Sequence, residues 1–312
     1  MLDNKWDSIR VYVTERCNAK CSNCFNASSR NNQEMDVKTF EKLCFYLSSN
    51  GIEKIKLLGG EPTIHDNFVE IIRIAQNNFK YIGVFTNGIF DNFSNIELRD
   101  TDSIIYNSNF LHLFNSDVFH WEQKGLRVIE LQILKDTSVS DVIKMIEQIE
   151  IFDKKRFLIN ITLDCKSNIF LEKDIILPKL YLLENFLIDA NINFSYDHKL
   201  PFCYLYKTKL HIKEYGICSL NSSGVIDAKL NLRFCLQNTD VLLSIYNGNK
   251  FIPWKIIENN LRKEFLKLRM KALHKICDTC IFYEDKCNGG CWVSQDFIMK
   301  EDILLNTNFP LK

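Results

Sequence analysis

Ile9-Arg-Val-Tyr-Val13 runs through Thr14-Glu-Arg into Cys17-Asn-Ala-Lys-Cys21-Ser-Asn-Cys24, and that stretch decides the fold. Positions 9, 11 and 13 are β-branched and alternate with Arg10 and Tyr12, the pattern of a strand. The three cysteines follow at once, at CX3CX2C spacing. Three thiolates on one short loop can hold three irons of a [4Fe–4S] cube and leave the fourth iron without a protein ligand. Structural zinc wants a closed set of four ligands, and no nearby His or Cys supplies the fourth. A loop at the C-terminal end of a barrel strand is also where β/α barrels place their active sites.

Working outward, strands and helices alternate to about residue 200. Asp36 is a candidate cap for a helix whose apolar residues Phe40, Leu43, Cys44 and Leu47 recur at helical spacing. Lys54–Leu58 reads as a second strand ending at Gly59-Gly60, then helix 67–78 and strand Tyr81–Thr86 closed by Asn87-Gly88. Strands are expected at Ser103–Tyr106, Arg127–Leu134 and Phe157–Leu163, with helices at Val139–Ile151 and Leu177–Ala190 and a short strand at Asn191–Tyr196. The helix after the fourth strand has the weakest pattern. Six strands with intervening helices predict an α/β fold, a parallel β/α barrel or an open sheet. Beyond Pro201 the rhythm fails, and one long helix, about Trp254–Lys275, precedes a second group of cysteines. Its seven Lys/Arg against two Glu from Lys255 to Lys275 read as a solvated face. The expected domains are therefore 1–200 and 201–312.

Composition narrows the function classes. The 312 residues carry 39 basic and 39 acidic side chains, a formal net charge of zero. That balance argues against a phosphate-backbone binder, so no nucleic-acid partner is expected. No run reaches the roughly 18–20 apolar residues of a membrane span, and the N-terminus lacks a signal-peptide pattern. The expected location is the cytoplasm, where clustered cysteines point to metal or redox chemistry rather than disulfides. There are 12 cysteines, at 17, 21, 24, 44, 165, 203, 218, 235, 277, 280, 287 and 291.

Gly59-Gly60-Glu61-Pro62-Thr63 closes the second strand: glycines permit close approach to the backbone, and Glu61 can accept from an ammonium. With the cysteine loop on strand one and Phe85-Thr86-Asn87-Gly88 on strand three, the chain resembles the radical SAM superfamily over roughly residues 8–200. The resemblance implies a partial (β/α)6 TIM-type barrel. It also implies a [4Fe–4S] cluster on Cys17, Cys21 and Cys24 that binds S-adenosylmethionine and yields a 5′-deoxyadenosyl radical for hydrogen abstraction. Gly59, Gly60, Glu61 and Pro62 match the family's GGEP motif, which receives the methionine amino group. Thr86 and Asn87 match its TNG segment, and the ribose-contacting residue maps near Asn107 or Ser108. The usual aromatic residue before the third cysteine is Asn23 here, with Phe25 following.

Cys277 and Cys280, then Cys287 and Cys291, form a CX2CX6CX3C group, with Cys218 and Cys235 upstream. On spacing alone, zinc and iron–sulfur are both served. After a radical SAM core the arrangement is similar to the SPASM extension, which implies one or two auxiliary [4Fe–4S] clusters. Cys218, Cys235 and Cys291, with Cys203 as fourth ligand, would serve the first; Cys277, Cys280 and Cys287 the second. The family's glycine five residues before the second cysteine is Leu230, and the family's last cysteine is missing. The second cluster would then have an open iron, take a ligand such as His274, or not form. Cys44 and Cys165 remain. Cys44 reads as core packing, and Cys165 as a buried thiol or a hydrogen donor at the barrel mouth.

The resemblance implies an oxidoreductase-type enzyme modifying a ribosomally made peptide by cross-linking, epimerisation or oxidation. The other reading is oxidation or rearrangement of a small metabolite such as an aminosugar. With strand one beginning near Ile9, no leader-recognition domain is expected. A separate leader-binding protein would present the peptide, or the barrel and C-terminal region would recognise it. A flavodoxin or ferredoxin is the expected reductant.

Overall fold

The computed structural model describes residues 7–21, 24, 32–89, 93–109, 116–163, 172–196, 223–236 and 240–271. The elements in chain order begin β1 (Ser8–Thr14), α1 (Val37–Ser49), β2 (Lys54–Gly59), α2 (Phe68–Asn78), β3 (Tyr81–Thr86), β4 (Ser103–Asn107) and β5 (Leu126–Ile133). Next come α3 (Val139–Glu147), β6 (Phe157–Leu163), α4 (Lys173–Asp189) and β7 (Asn193–Tyr196). After these follow β8 (Ser223–Ile226), β9 (Asn231–Arg233), β10 (Val241–Ser244), β11 (Tyr246–Asn247), β12 (Lys250–Phe251) and α5 (Trp254–Lys271).

Two compact units divide these elements. The first comprises Met1–Ile129, Gln148–Phe157 and Leu220–Lys263. Its strands lie in the order β10-β9-β8-β1-β2-β3-β4, with the start of β5 beside β4. The ladders β1–β2, β2–β3 and β3–β4 are parallel. The second unit comprises Glu130–Glu147, Leu158–Ser219 and Glu264–Lys312. In it β6 and β7 pair in parallel, and α3 packs on α4. The β/α succession from β1 to β6 is the expected α/β architecture of a partial barrel.

Local chemistry explains the first half-turns of this succession. The Asp36 carboxylate accepts from the Thr39 N–H at 3.0 Å and its hydroxyl at 2.6 Å, capping α1. Phe40, Leu43, Cys44 and Leu47 are buried, one stripe of a 3.6-residue period. Each such side chain contributes roughly 1.5–3 kcal/mol of burial. Gly51, at φ 83°, ends the helix in the left-handed region. Burial pushes the Cys44 thiol well up, which suits inert packing. On β1–β3, Ile9, Val11, Ile55, Leu57, Ile82 and Val84 are fully buried. The opposite face carries Tyr12, Leu58 and Val225 in one cluster, with Phe85 and Leu236 against it.

Three elements depart from the sequence pattern. The described residues between β4 and β5 form no α-helix, only 3-10 and turn geometry such as Ser116–Phe119. Helix α4 starts four residues ahead of Leu177, taking Pro178 inside, with the Glu172 carbonyl accepting from Ile175 and Ile176 N–H groups. Most consequential is β8, which pairs parallel with β1 from Ser8↔Ser223 to Val11↔Ile226. β9 and β10 then continue antiparallel.

The β8–β9 turn holds Leu230 at φ 63°, where the resemblance calls for glycine. A left-handed leucine costs about 1–2 kcal/mol. Two features offset it: Leu230 is 5% exposed, and Asp227 accepts from the N–H groups of Lys229 and Asn231, each at 2.9 Å. Leu230→Ala keeps the strain and loses the burial, so we expect it to destabilise by about 2–4 kcal/mol. Leu230→Gly sheds the strain and should cost about 1 kcal/mol less than alanine. Chemical denaturation of both variants checks this, and a glycine variant less stable than the alanine one contradicts the account.

Candidate functional site

The cysteine loop leaves β1 and returns beside it. Thr14 bridges Glu34 in antiparallel fashion. The Glu15 N–H donates to the Gln33 carbonyl at 2.7 Å, and the Met35 N–H to the Val13 carbonyl at 2.9 Å. Arg16, at the neck, reaches Glu34 at 2.7 Å, Asp66 at 3.0 Å and the Ile64 carbonyl at 3.0 Å. Its guanidinium therefore pins both ends of the loop to the turn after β2. Cys17, Cys21 and Cys24 are in the thiol form, bridged by no disulfide, and half-buried. The Ala19 N–H lies 3.4 Å from the Cys17 Sγ.

Three cysteine thiols on one loop are the donor set of an iron–sulfur cube. Among the described residues no three His, Cys, Asp or Glu side chains converge on one metal ion. A cube does not ask for that, because each thiolate meets a different iron.

The glycines at the end of β2 admit the loop's own backbone. The Gly60 N–H donates to the Thr14 carbonyl at 2.9 Å, and the Glu61 N–H to the Arg16 carbonyl at 2.8 Å. A Cβ on Gly60 would stand 2.1 Å from the Arg16 oxygen, and one on Gly59 would stand 2.6 Å from the Thr14 oxygen. The close approach anticipated for a ligand is thus also required by the protein chain.

Glu61 ties the ends of β2 and β3 together. It is 1% exposed. Its Oε1 accepts from the Thr63 N–H at 3.2 Å, the Thr63 hydroxyl at 2.7 Å and the Thr86 hydroxyl at 2.9 Å. Its Oε2 accepts from the Asn87 N–H at 2.6 Å. Oε1 is saturated, and Oε2 retains one acceptor position for a donor such as an ammonium. Burial pushes this carboxyl up, and the four hydrogen bonds partly offset that. Pro62 opens the buried 3-10 turn Pro62–Ile64 that aims Glu61 inward.

Thr86 also accepts from the Gly88 N–H at 3.0 Å, so three consecutive N–H groups, of Asn87, Gly88 and Ile89, donate to side chains. The structure thus brings together Cys17, Gly59, Gly60, Glu61, Pro62, Thr86 and Asn87 at the C-terminal ends of β1, β2 and β3. Ser108 follows the end of β4, and Asn107 turns back to accept from the Asn109 N–H at 3.0 Å. Cys235 is half-buried just after β9. Cys165, Cys203, Cys218, Cys277, Cys280, Cys287 and Cys291, with Asn23, Phe25 and His274, lie outside the described residues. Sequence reasoning passed over Arg16, Asn18 and Glu34. Arg16 had one usable signal, a cation directly before a predicted cluster ligand.

Residues 11–157 match the family model described as the Radical SAM superfamily. Over that stretch the chain is similar to a radical SAM domain. The matched segment runs from β1 to the first residue of β6 and contains the whole corner above.

Among known sequences, the chain is similar to a probable GTP 3',8-cyclase of Methanothermobacter marburgensis, 39% identical over 95 residues. That match covers 30% of this chain and 31% of the cyclase. It is also similar to the antilisterial bacteriocin subtilosin biosynthesis protein AlbA of Bacillus subtilis, 33% identical over 90 residues, 28% of this chain and 20% of AlbA. The chain thus spans less than a third of the length of these relatives.

Among solved structures, Streptococcus suis SuiB bound to S-adenosylmethionine superposes with a TM-score of 0.69 at 14% identity, covering 96% of this chain and 75% of SuiB. Native anSMEcpe with bound AdoMet gives 0.62 at 18% identity, covering 98% and 93%. At these identities the likeness is one of fold alone. Among the described residues no helix is long and apolar enough to cross a membrane.

Proposed function

We propose that this chain is a radical SAM enzyme that modifies a ribosomally synthesised peptide. The observation that carries the radical chemistry is the thiol loop locked by backbone hydrogen bonds onto Gly60 and Glu61. Cys17, Cys21 and Cys24 would hold a [4Fe–4S] cluster, and the backbone and side chains of Gly59–Pro62, Thr86, Asn87 and Ser108 would surround S-adenosylmethionine. Bound there, the cluster and S-adenosylmethionine would supply one-electron reductive chemistry. The chain's own part is to fix the loop, orient the ligand's amino group against Glu61 and exclude water.

Peptide as substrate is supported by SuiB bound to its precursor peptide SuiA, TM-score 0.65, and by anSMEcpe bound to a Cp18Cys peptide, TM-score 0.63. The stretch shared with AlbA points the same way. Domains 1–200 and 201–312 would divide radical generation from one or two auxiliary clusters on Cys203, Cys218, Cys235, Cys277, Cys280, Cys287 and Cys291. A flavodoxin- or ferredoxin-type reductant and a separate leader-binding protein complete this reading. A small metabolite is the second reading, favoured by the likeness to the cyclase.

The test is anaerobic reconstitution, reduction with dithionite and addition of S-adenosylmethionine with precursor peptides encoded beside the gene. We expect 5′-deoxyadenosine and a mass change in the peptide. No 5′-deoxyadenosine from iron-loaded protein would sink the radical reading. Turnover of a small metabolite with every peptide unchanged would replace the peptide.

A further inference from the structure

Cys17 is flanked by two residues that are each tied to the corner. On one side the Arg16 carbonyl accepts from the Glu61 N–H at 2.8 Å. On the other, the Asn18 Oδ1 accepts from the Asn87 Nδ2 at 2.7 Å. The direction of that second bond is fixed by a third. The Ile89 N–H, which can only donate, points at the Asn87 Oδ1 at 2.9 Å, so the Asn87 amide turns its NH2 to Asn18. Asn87 itself is 5% exposed, and its own N–H is held by the Glu61 Oε2. Asn18 itself is exposed, so its side chain reaches inward to a buried partner whose backbone N–H is held by Glu61.

We infer that Asn18 is a positioning residue that couples the thiol loop to the Glu61–Thr86–Asn87 corner. It touches neither reacting atoms nor ligand in this role; it acts through Asn87. Two consequences follow from the geometry. Displacing Asn18 frees the Asn87 amide to rotate, which removes the acceptor of the Ile89 N–H. A ligand that orders the corner also orders the loop one residue from Cys17, so occupancy at β2 and β3 is transmitted to the cluster's first thiolate. That ligand half rests on the proposed function; the tether itself does not.

The experiment compares Asn18→Leu, which removes the acceptor, with Asn18→Asp, which keeps one. Amide hydrogen exchange is read at Asn87, Gly88 and Ile89 in the full chain, first without iron and then after reconstitution. The spectroscopic change of the reduced cluster on adding S-adenosylmethionine gives an apparent Kd. We expect Asn18→Leu to speed exchange at Ile89 and to raise that Kd about 3–10-fold, the range of one net hydrogen bond. Iron content should stay at the wild-type level, and Asn18→Asp should keep the slow exchange. Unchanged exchange in Asn18→Leu overturns the tether, and faster exchange with an unchanged Kd overturns the coupling. If the wild-type chain takes up no iron, the proposed function fails, while the exchange comparison still decides the tether.

Discussion

Gly60→Ala is expected to lower radical formation by about 100-fold or more, the scale on which a misplacement of 1 Å acts. The added Cβ would lie 2.1 Å from the Arg16 oxygen, 2.5 Å from the Arg16 carbonyl carbon and 2.7 Å from the Cys17 Cβ. Two of those atoms are backbone, and the third carries a thiol ligand, so the clash is relieved only by moving the loop. The Glu61 N–H then loses the Arg16 carbonyl, and Cys17 leaves its place relative to the corner. Gly83→Ala is the comparison. Its Cβ would meet side-chain atoms, the Tyr81 hydroxyl at 2.8 Å, the Ser103 Oγ at 3.2 Å and the Ile105 Cδ1 at 3.3 Å. Those can give by a few tenths of an ångström, so its 5′-deoxyadenosine yield should stay within about threefold of wild type. Iron content, S-adenosylmethionine affinity and 5′-deoxyadenosine yield measure both variants. Wild-type iron content and yield in Gly60→Ala would refute the account.

That contrast also shows how far residues alone carry the fold. The stripe Phe40, Leu43, Cys44, Leu47 and the alternation of Ile9, Val11 and Val13 mark buried faces because burial has the period of the element. Gly60 and Glu61 were legible as a motif, but the physical need at Gly60 was not, since its neighbour Arg16 is 44 positions away. The same holds for Glu61, whose donors come from its own turn and from the end of β3. Only folding brings them together. Asn18 gave no signal at all: a polar residue inside a cysteine loop looks the same whether it faces solvent or Asn87. Strand β8 was illegible for another reason. Its four residues are too few for a period, and its place beside β1 is set by pairing rather than by pattern. Leu230 was legible only as a missing glycine; the structure adds why leucine is tolerated, because its side chain is buried while its backbone is strained.

Arg127→Met is expected to destabilise the protein by about 3–5 kcal/mol while leaving catalytic chemistry intact at a temperature where the variant is folded. Arg127 opens the core of β5 and is fully buried. Its guanidinium donates to five carbonyls, those of Phe119, His120, Gln123, Lys124 and Gly125. Burial lowers its basicity, yet a guanidinium remains charged at any ordinary pH. Methionine fills the shape and donates nothing, so the carbonyls of Phe119, His120, Gln123, Lys124 and Gly125 lose this donor. That segment includes His120 at φ 46° and Gly125 at φ 85°, left-handed backbone that the guanidinium helps to hold. Arg127→Lys should recover only part of the loss, because one ammonium cannot span five acceptors fanned around a plane. Position decides that stability, not activity, is what suffers. Arg127 lies at the N-terminal start of its strand, whereas Gly60 lies at the C-terminal end of β2, and β/α folds keep chemistry at the C-terminal ends. Denaturation midpoints give the stability loss, and 5′-deoxyadenosine yield per iron, measured on folded protein, gives the activity. A stability within 1 kcal/mol of wild type would refute the first claim. A yield per iron as low as that of Gly60→Ala would refute the second.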